Sequence, residues 1–298
     1  MGTSIAFLGL GTMGGPMAAN LAKKGFEVRG WNRTPDRPSA LSARDAGVRL
    51  VSPIAEAVAG ADIVATCVSD VDDVDEVFFS DGGVAACAVS GTLVVDFSTI
   101  GPVAARGFAT RLAAEGLRFV DAPVTGGDVG ARAGTLTIMA GGDKADFDAA
   151  SALFAAVGKV AKHCGPAGSG QAVKLCNQVL GALHMVALTE AIALARMQHV
   201  DPALVVEVCS SGAAGSWALT NLGPKVLARD FAPGFMVKHL LKDLRLVLAT
   251  PAGEGLDELR GTVLAKGLLE KVLSLGGGEL GTQSLTLAYE EQPDFAID

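Results

Sequence analysis

The chain has no pair of cysteines spaced to begin a zinc or redox site. Its five, Cys67, Cys87, Cys164, Cys176 and Cys209, are odd in number and scattered, with no Cys-x-x-Cys among them. They read as the reduced thiols of a cytoplasmic protein. The four histidines, His163, His184, His199 and His239, lack metal-ligand spacing, so no metal is implied. No basic run offsets the formal net charge of -8, which leaves no electrostatic ground for binding a polyanion, and nucleic acid is not an expected partner. The first apolar segment has no basic region ahead of it and runs into a glycine turn at Gly9, unlike a secretion signal. Nor does any later apolar stretch escape polar interruption, since the most hydrophobic one carries His184, Glu190 and Arg196, so no membrane partner is expected.

What is present is a long, apolar chain: 298 residues, half of them hydrophobic, enough for two cores. Up to about Cys164, apolar runs of strand length alternate with helix-length segments. Ser4–Leu8, Glu27–Trp31, Ile63–Val68, Thr92–Phe97, Arg118–Val120 and Thr135–Met139 read as buried strands. Strands that are apolar on both faces and separated by helices predict a parallel sheet covered on both sides, a doubly wound α/β domain. From Gln171 to Gln198 a single long apolar helix is predicted, followed by helical segments at Pro202–Ser210, Val237–Ala249 and Glu258–Leu275, with no convincing strand. The expected division is residues 1–164 as the α/β domain and 165–298 as an all-α domain. Gly165, Pro166, Gly168 and Gly170 punctuate the chain at the join.

Ser4–Leu8 leads into Gly9-Leu10-Gly11-Thr12-Met13-Gly14, which opens a helix. In a strand–turn–helix unit the first glycine permits the tight turn, the second lets backbone approach a pyrophosphate, and the third packs helix on strand, so the context is that of a Rossmann-type dinucleotide loop. An NAD site places an acid at the end of the second strand, but this chain has Trp31-Asn32-Arg33-Thr34 there. A guanidinium suits the extra phosphate of NADP, and the missing carboxylate removes a repelling charge, which favours NADP (NADPH). Arg33 also reads as an ordinary solvated loop charge.

Three further segments stand out: Asp121-Ala122-Pro123-Val124-Thr125-Gly126-Gly127 with Gly134–Met139; Gly168-Ser169-Gly170-Gln171-Ala172-Val173-Lys174; and Lys242-Asp243-Leu244. With the opening glycine loop they resemble the β-hydroxyacid dehydrogenase family over nearly the whole chain. The resemblance implies that Lys174 is the catalytic acid/base, which suits a carbonyl oxygen that gains negative charge as hydride arrives at its carbon. By itself a lysine on a helix is more often solvated. The resemblance also implies that the Thr125-Gly126-Gly127 turn binds the substrate carboxylate, a turn that without it reads as a plain glycine turn. The family most often has Ser where Thr125 stands, and Asn where Gln178 stands, four residues after the lysine. Asn177 points about a quarter-turn away.

By the same resemblance Phe235, Lys242 and Asp243 reach the cofactor and substrate, with Asp243 close to Lys174, although Lys242 and Asp243 alone read as a surface ion pair. Val68-Ser69 and Thr99, at the ends of predicted strands, would contact the cofactor. The Asn32-Arg33-Thr34 signature, the Gly212–Trp217 segment and Phe235 look most like the NADPH-dependent glyoxylate/succinic semialdehyde reductases. A small carboxylate-bearing substrate is implied. The alternatives are oxidation of 3-hydroxyisobutyrate or reduction of tartronate semialdehyde and, from another class, a non-catalytic dinucleotide-binding oligomerisation module. The long apolar helix calls for cover on more than one side, so a homodimer or homotetramer is expected.

Overall fold

The computed structural model describes residues 3–250 and 258–290. The chain divides into two compact units, Met1–Lys174 and Leu175–Asp298.

The first unit is built on nine strands: β1 (Ser4–Leu8), β2 (Glu27–Trp31), β3 (Arg49–Leu50), β4 (Ile63–Thr66), β5 (Leu93–Asp96), β6 (Arg118–Asp121), β7 (Val124–Thr125), β8 (Leu136–Gly142) and β9 (Gly158–Gly165). They form one sheet in the order β3-β2-β1-β4-β5-β6-β8-β7, with β9 on the other side of β8. From β3 to β6 every pairing is parallel. Successive side chains of a strand point to opposite faces, and here both faces are apolar. Ile5 and Phe7 of β1 enter one core with Leu10, Met17, Phe97 and Phe154, while Ala6 and Leu8 enter another with Phe78, Phe108 and Phe119. The same alternation holds in β4 and β5, where Ile63, Ala65, Leu93 and Val95 face the first core and Val64 and Val94 the second.

The far end of the sheet departs from the all-parallel expectation, because β8 runs antiparallel to both β6 and β7. A parallel crossover takes about a dozen residues or more. The link from β7 to β8 holds only the seven-residue helix Gly127–Ala133, and its chain turns back at once. Strand β9 then extends the sheet past Cys164, and the unit continues to Lys174 inside the helix Ser169–Met197, which crosses the division.

The second unit is helical: Pro202–Ser210, Trp217–Leu227, Val237–Leu248 and Arg260–Ser274, with the remainder of the long helix and a 3-10 segment at Thr282–Tyr289. Ala182, Met185, Val186 and Ile192 recur at helical spacing on the buried face of the long helix and join Leu219, Leu240, Leu244 and Leu269 in one core. By length and composition alone this helix is apolar enough to cross a bilayer, but its buried stripe is core. Trp217–Leu227, absent from the sequence reading, starts where Ser216 Oγ accepts the N–H of Leu219 at 3.0 Å. Gly223 lets it close on Val206, which a Cβ would meet at 3.1 Å.

Candidate active site

At the end of β1, Gly9 takes a φ of 96°, and a Cβ on it would lie 2.4 Å from the carbonyl oxygen of Cys67. A Cβ on Gly14 would lie 1.9 Å from the carbonyl oxygen of Gly9. Backbone thus bars a side chain at both positions. At Gly11 a Cβ would meet nothing within 4 Å, so the second glycine faces the open space that an approaching pyrophosphate requires. The first turn of the helix Gly14–Lys23 carries no acid to offset the partial positive charge of its N-terminus. The loop fits a dinucleotide, with Gly11, Thr12 and Met13 as its outer wall.

Of the residues after β2, Asn32 shapes the loop. Its Oδ1 accepts the N–H of Leu10 at 2.8 Å and its Nδ2 donates to the carbonyl of Thr34 at 2.6 Å. Arg33 is 68% exposed, and its guanidinium pairs with Asp73 at 2.9 Å and Glu76 at 3.7 Å on the helix Val71–Phe79. On the neighbouring strands, Ser98 joins the two turns expected at the cofactor. Its hydroxyl accepts the N–H of Val68 at 2.9 Å, and its own N–H donates to Asp96 Oδ1 at 3.0 Å. Ser69 and Thr99 sit on these turns, one exposed and one half-buried.

Thr125 closes β7, half-buried, and Gly126 and Gly127 follow with φ of 128° and 62°. A Cβ on Gly127 would meet nothing within 4 Å. Asp128 would repel a carboxylate here, but Arg132, one turn on, pairs with it. Asn20, on the glycine-loop helix, donates from Nδ2 to the carbonyl of Ala131 at 2.8 Å and so ties the two turns into one piece.

Lys174 is only 7% exposed, a rare state for a lysine that is merely surface decoration. Ahead of it, Asp121 accepts the N–H of Gly168 at 2.6 Å and of Gln171 at 2.9 Å. Burial pushes the Asp121 carboxyl up to about 7 against these two hydrogen bonds, and the charge of Asp96 adds to the rise. Gln171 Oε1 accepts the N–H groups of Ile100 and Gly101 at 3.0 and 3.1 Å, and its Nε2 donates to the carbonyl of Ser98 at 2.8 Å. Asp121 and Gln171 stand in the sequence motifs and Asn20 near the glycine loop, but the sequence assigns none of the three a role of its own. The available signal was a carboxylate directly after the apolar pair Phe119-Val120.

In the second unit Asn177 donates to Gln178 Oε1 at 2.8 Å, and Gln178 Nε2 donates to Asp243 Oδ2 at 2.6 Å. Lys242 pairs with the other oxygen of Asp243 at 2.9 Å, so the carboxylate is shared between an amide and an ammonium. The pair is not the surface pair that sequence alone allowed, since Asp243 is 2% exposed and Lys242 is half-buried. Phe235 is exposed and stacks on His239, with ring centroids 6.4 Å apart. Lys174 and Asp243 belong to different units, and the partners of Asp243 within its own are Gln178 and Lys242.

Two family models cover the chain between them. One, described as the NAD binding domain of 6-phosphogluconate dehydrogenase, matches residues 4–173; the other, described as the NAD-binding of NADP-dependent 3-hydroxyisobutyrate dehydrogenase, matches residues 168–289. The 2-hydroxy-3-oxopropionate reductase of Escherichia coli is 35% identical over 286 residues, 96% of this chain and 97% of that protein. The chain belongs to the β-hydroxyacid dehydrogenase family. This β-hydroxyacid dehydrogenase is also 54% identical over 289 residues to an uncharacterized oxidoreductase of Synechocystis sp., covering 97% of the chain and 99% of the relative. A solved Mycobacterium tuberculosis 3-hydroxyisobutyrate dehydrogenase with L-serine superposes with a TM-score of 0.86 at 33% identity, over 96% of this chain and 98% of that one. The chain is therefore an oxidoreductase of this family with an NAD(P)-binding domain.

Because the Asp121 carboxyl rises from 3.8 to about 7, the folded state keeps a proton that the unfolded chain releases between those values. The stability this group contributes is complete below about pH 4 and lost as pH rises through about 7. Melting temperatures of the parent minus those of Asp121→Asn are expected to fall from pH 5 to pH 8. A flat difference would show that the carboxyl is ionised throughout.

Proposed function

We propose that this chain is an NADPH-dependent reductase of small semialdehyde acids, succinic semialdehyde and glyoxylate, with Lys174 as proton donor. The observation that carries the reading is the burial of Lys174, at the position where the family keeps its acid/base, in the same compact unit as a glycine loop that fits the coenzyme. The coenzyme, when bound, supplies or accepts the hydride. Lys174 Nζ gives its proton to the substrate's carbonyl oxygen as negative charge builds there, and in the oxidative direction the neutral amine takes that proton back. The Thr125 hydroxyl and the N–H groups of Gly126 and Gly127 hold the substrate carboxylate, with Asp128 neutralised by Arg132. The family resemblance assigns Asn177, Gln178 and Asp243 to the substrate, Lys242 to the coenzyme and Phe235 to both.

The preference for NADPH rests on the missing acid after β2 and on Arg33. An exposed ion pair such as Arg33 with Asp73 is worth about 0–1 kcal/mol, so a phosphate can take the place of the carboxylate at small cost. A second reading keeps the mechanism and changes the substrate to 3-hydroxyisobutyrate or tartronate semialdehyde, because relatives carry the names 3-hydroxyisobutyrate dehydrogenase and 2-hydroxy-3-oxopropionate reductase. One methylene in an apolar pocket separates substrates by only about 1–3 kcal/mol, so the two readings differ by rates and not by kind. The chain also works as a homo-oligomer in this reading. Leu194, Met197, Leu204, Val208 and Trp217 of the helical unit are more than half exposed, and a partner copy would take that apolar surface out of water.

NADPH oxidation with succinic semialdehyde and glyoxylate, run beside the reverse reaction with 3-hydroxyisobutyrate, tests the assignment. Lys174→Ala is expected to lower kcat roughly 10²- to 10⁴-fold while NADPH still binds, and unchanged turnover would remove Lys174 from its role. Arg33→Ala should raise the KM for NADPH and spare that for NADH, and equal weakening of both would end the phosphate-reading role. Sedimentation equilibrium is expected to give a mass of two or four chains; a single-chain mass at micromolar concentration would refute the assembly.

A further inference from the structure

The lysine helix has no side chain of its own to cap it, since the residue before Ser169 is Gly168, with φ of 88°. The first N–H groups of a helix lack partners inside it, and here Asp121, at the end of β6, supplies the acceptor from 47 residues away. The surroundings leave room for that carboxylate. A Cβ on Gly141 would lie 2.6 Å from Asp121 Oδ1, and one on Gly170 would lie 2.8 Å from Oδ2. Gln171 is fully buried and clasps the turn from Ser98 to Gly101 through three hydrogen bonds, so both ends of its amide are used. Lys174 follows three residues later on the same face of the helix. A surface glutamine would suffice for helix formation alone, whereas this one binds the lysine's own turn to the turn that carries Thr99.

We propose that Gln171 is a positioning residue for Lys174: on a helix start capped by Asp121, its amide fixes the lysine's turn to the coenzyme-side turn Ser98–Gly101, and thereby sets where the ammonium stands relative to the nucleotide loop. The proposal rests on the reading of Lys174 as proton donor. Geometry of this kind matters for rate, because a misplacement of about 1 Å costs roughly 10²-fold. The charged and titratable groups around the clasp are Asp96 on β5, Asp121 on β6, Cys164 on β9, Arg106 beside Gly168, and Lys174 itself.

The test compares Gln171→Ala, Gln171→Glu and Lys174→Ala in the full-length protein from pH 5 to pH 9, with melting temperatures as a check on folding. Gln171→Ala is expected to lower kcat by roughly tenfold to a hundredfold at every pH, with KM for the aldehyde and Kd for NADPH, read by its fluorescence, within about threefold of the parent. A protonated glutamic acid can still accept from Ile100 and Gly101 and donate to Ser98, but an ionised one cannot donate. Gln171→Glu should therefore keep much of the parental kcat at the acid end and lose it as pH rises, a dependence that Gln171→Ala lacks. If Gln171→Ala melts well above the assay temperature and keeps kcat within twofold while Lys174→Ala is inactive, the positioning role is overturned and the lysine stands. A pH-independent kcat ratio of Gln171→Glu to parent would likewise overturn it. Parental turnover in Lys174→Ala would overturn both.

Discussion

A sheet covered on both faces has no place for polar side chains except at the ends of its strands, and this constraint arranges the first unit. In β4, β5 and β6 the last registered residues are Thr66, Asp96 and Asp121, adjacent across the sheet, while the residues before them are almost all apolar and buried. Thr66 Oγ1 donates to Asp96 Oδ1 at 2.7 Å, Asp96 accepts from Ser98, and Asp121 accepts from the lysine helix. Burial and the charge of Asp96 raise the cost of ionising Asp121, and the backbone N–H groups of Gly168 and Gln171 offset part of it. The polar row is thus both a burden on stability and the frame that holds the turns around it.

The second unit solves a related problem differently. Gln178, one methylene longer than the family's usual asparagine, brings its amide to Asp243 across 65 residues of chain, and Asn177 occupies the carbonyl end. The pair at Asn177 and Gln178 therefore behaves as one amide group spread over two residues. Its orientation is fixed by bonds within the protein, so the two side chains are held in one arrangement and not left to sample several.

Much of this was legible in the sequence wherever the signal is local. Ser4–Leu8, Glu27–Trp31 and Pro202–Ser210 were readable residue for residue, and the glycine loop was readable because turn chemistry is written in adjacent positions. The two-residue strands β3 and β7 were too short to show a period, and β9, with no fully buried residue and with Lys159 and Lys162 exposed along it, lacks the apolar run of a buried strand. Pro224 inside Trp217–Leu227 hid that helix, because proline normally ends one. The antiparallel turn of β8 and the clasps of Asp121 and Gln171 join residues far apart in sequence, and no single-chain periodicity encodes such pairings. Gln178 was noticed only as a departure, and its partner Asp243 came from the motif and not from any spacing.

The three glycines of the coenzyme loop answer to different demands. At Gly9 and Gly14 a methyl group would strike backbone oxygen, so folding itself forbids substitution there, whereas at Gly11 it would project into empty space. A descendant of this chain that abandoned its coenzyme could therefore drift at Gly11 first and remain well folded, still carrying the outer two glycines as a relic. Within such a lineage the middle glycine records use, and its neighbours record only architecture.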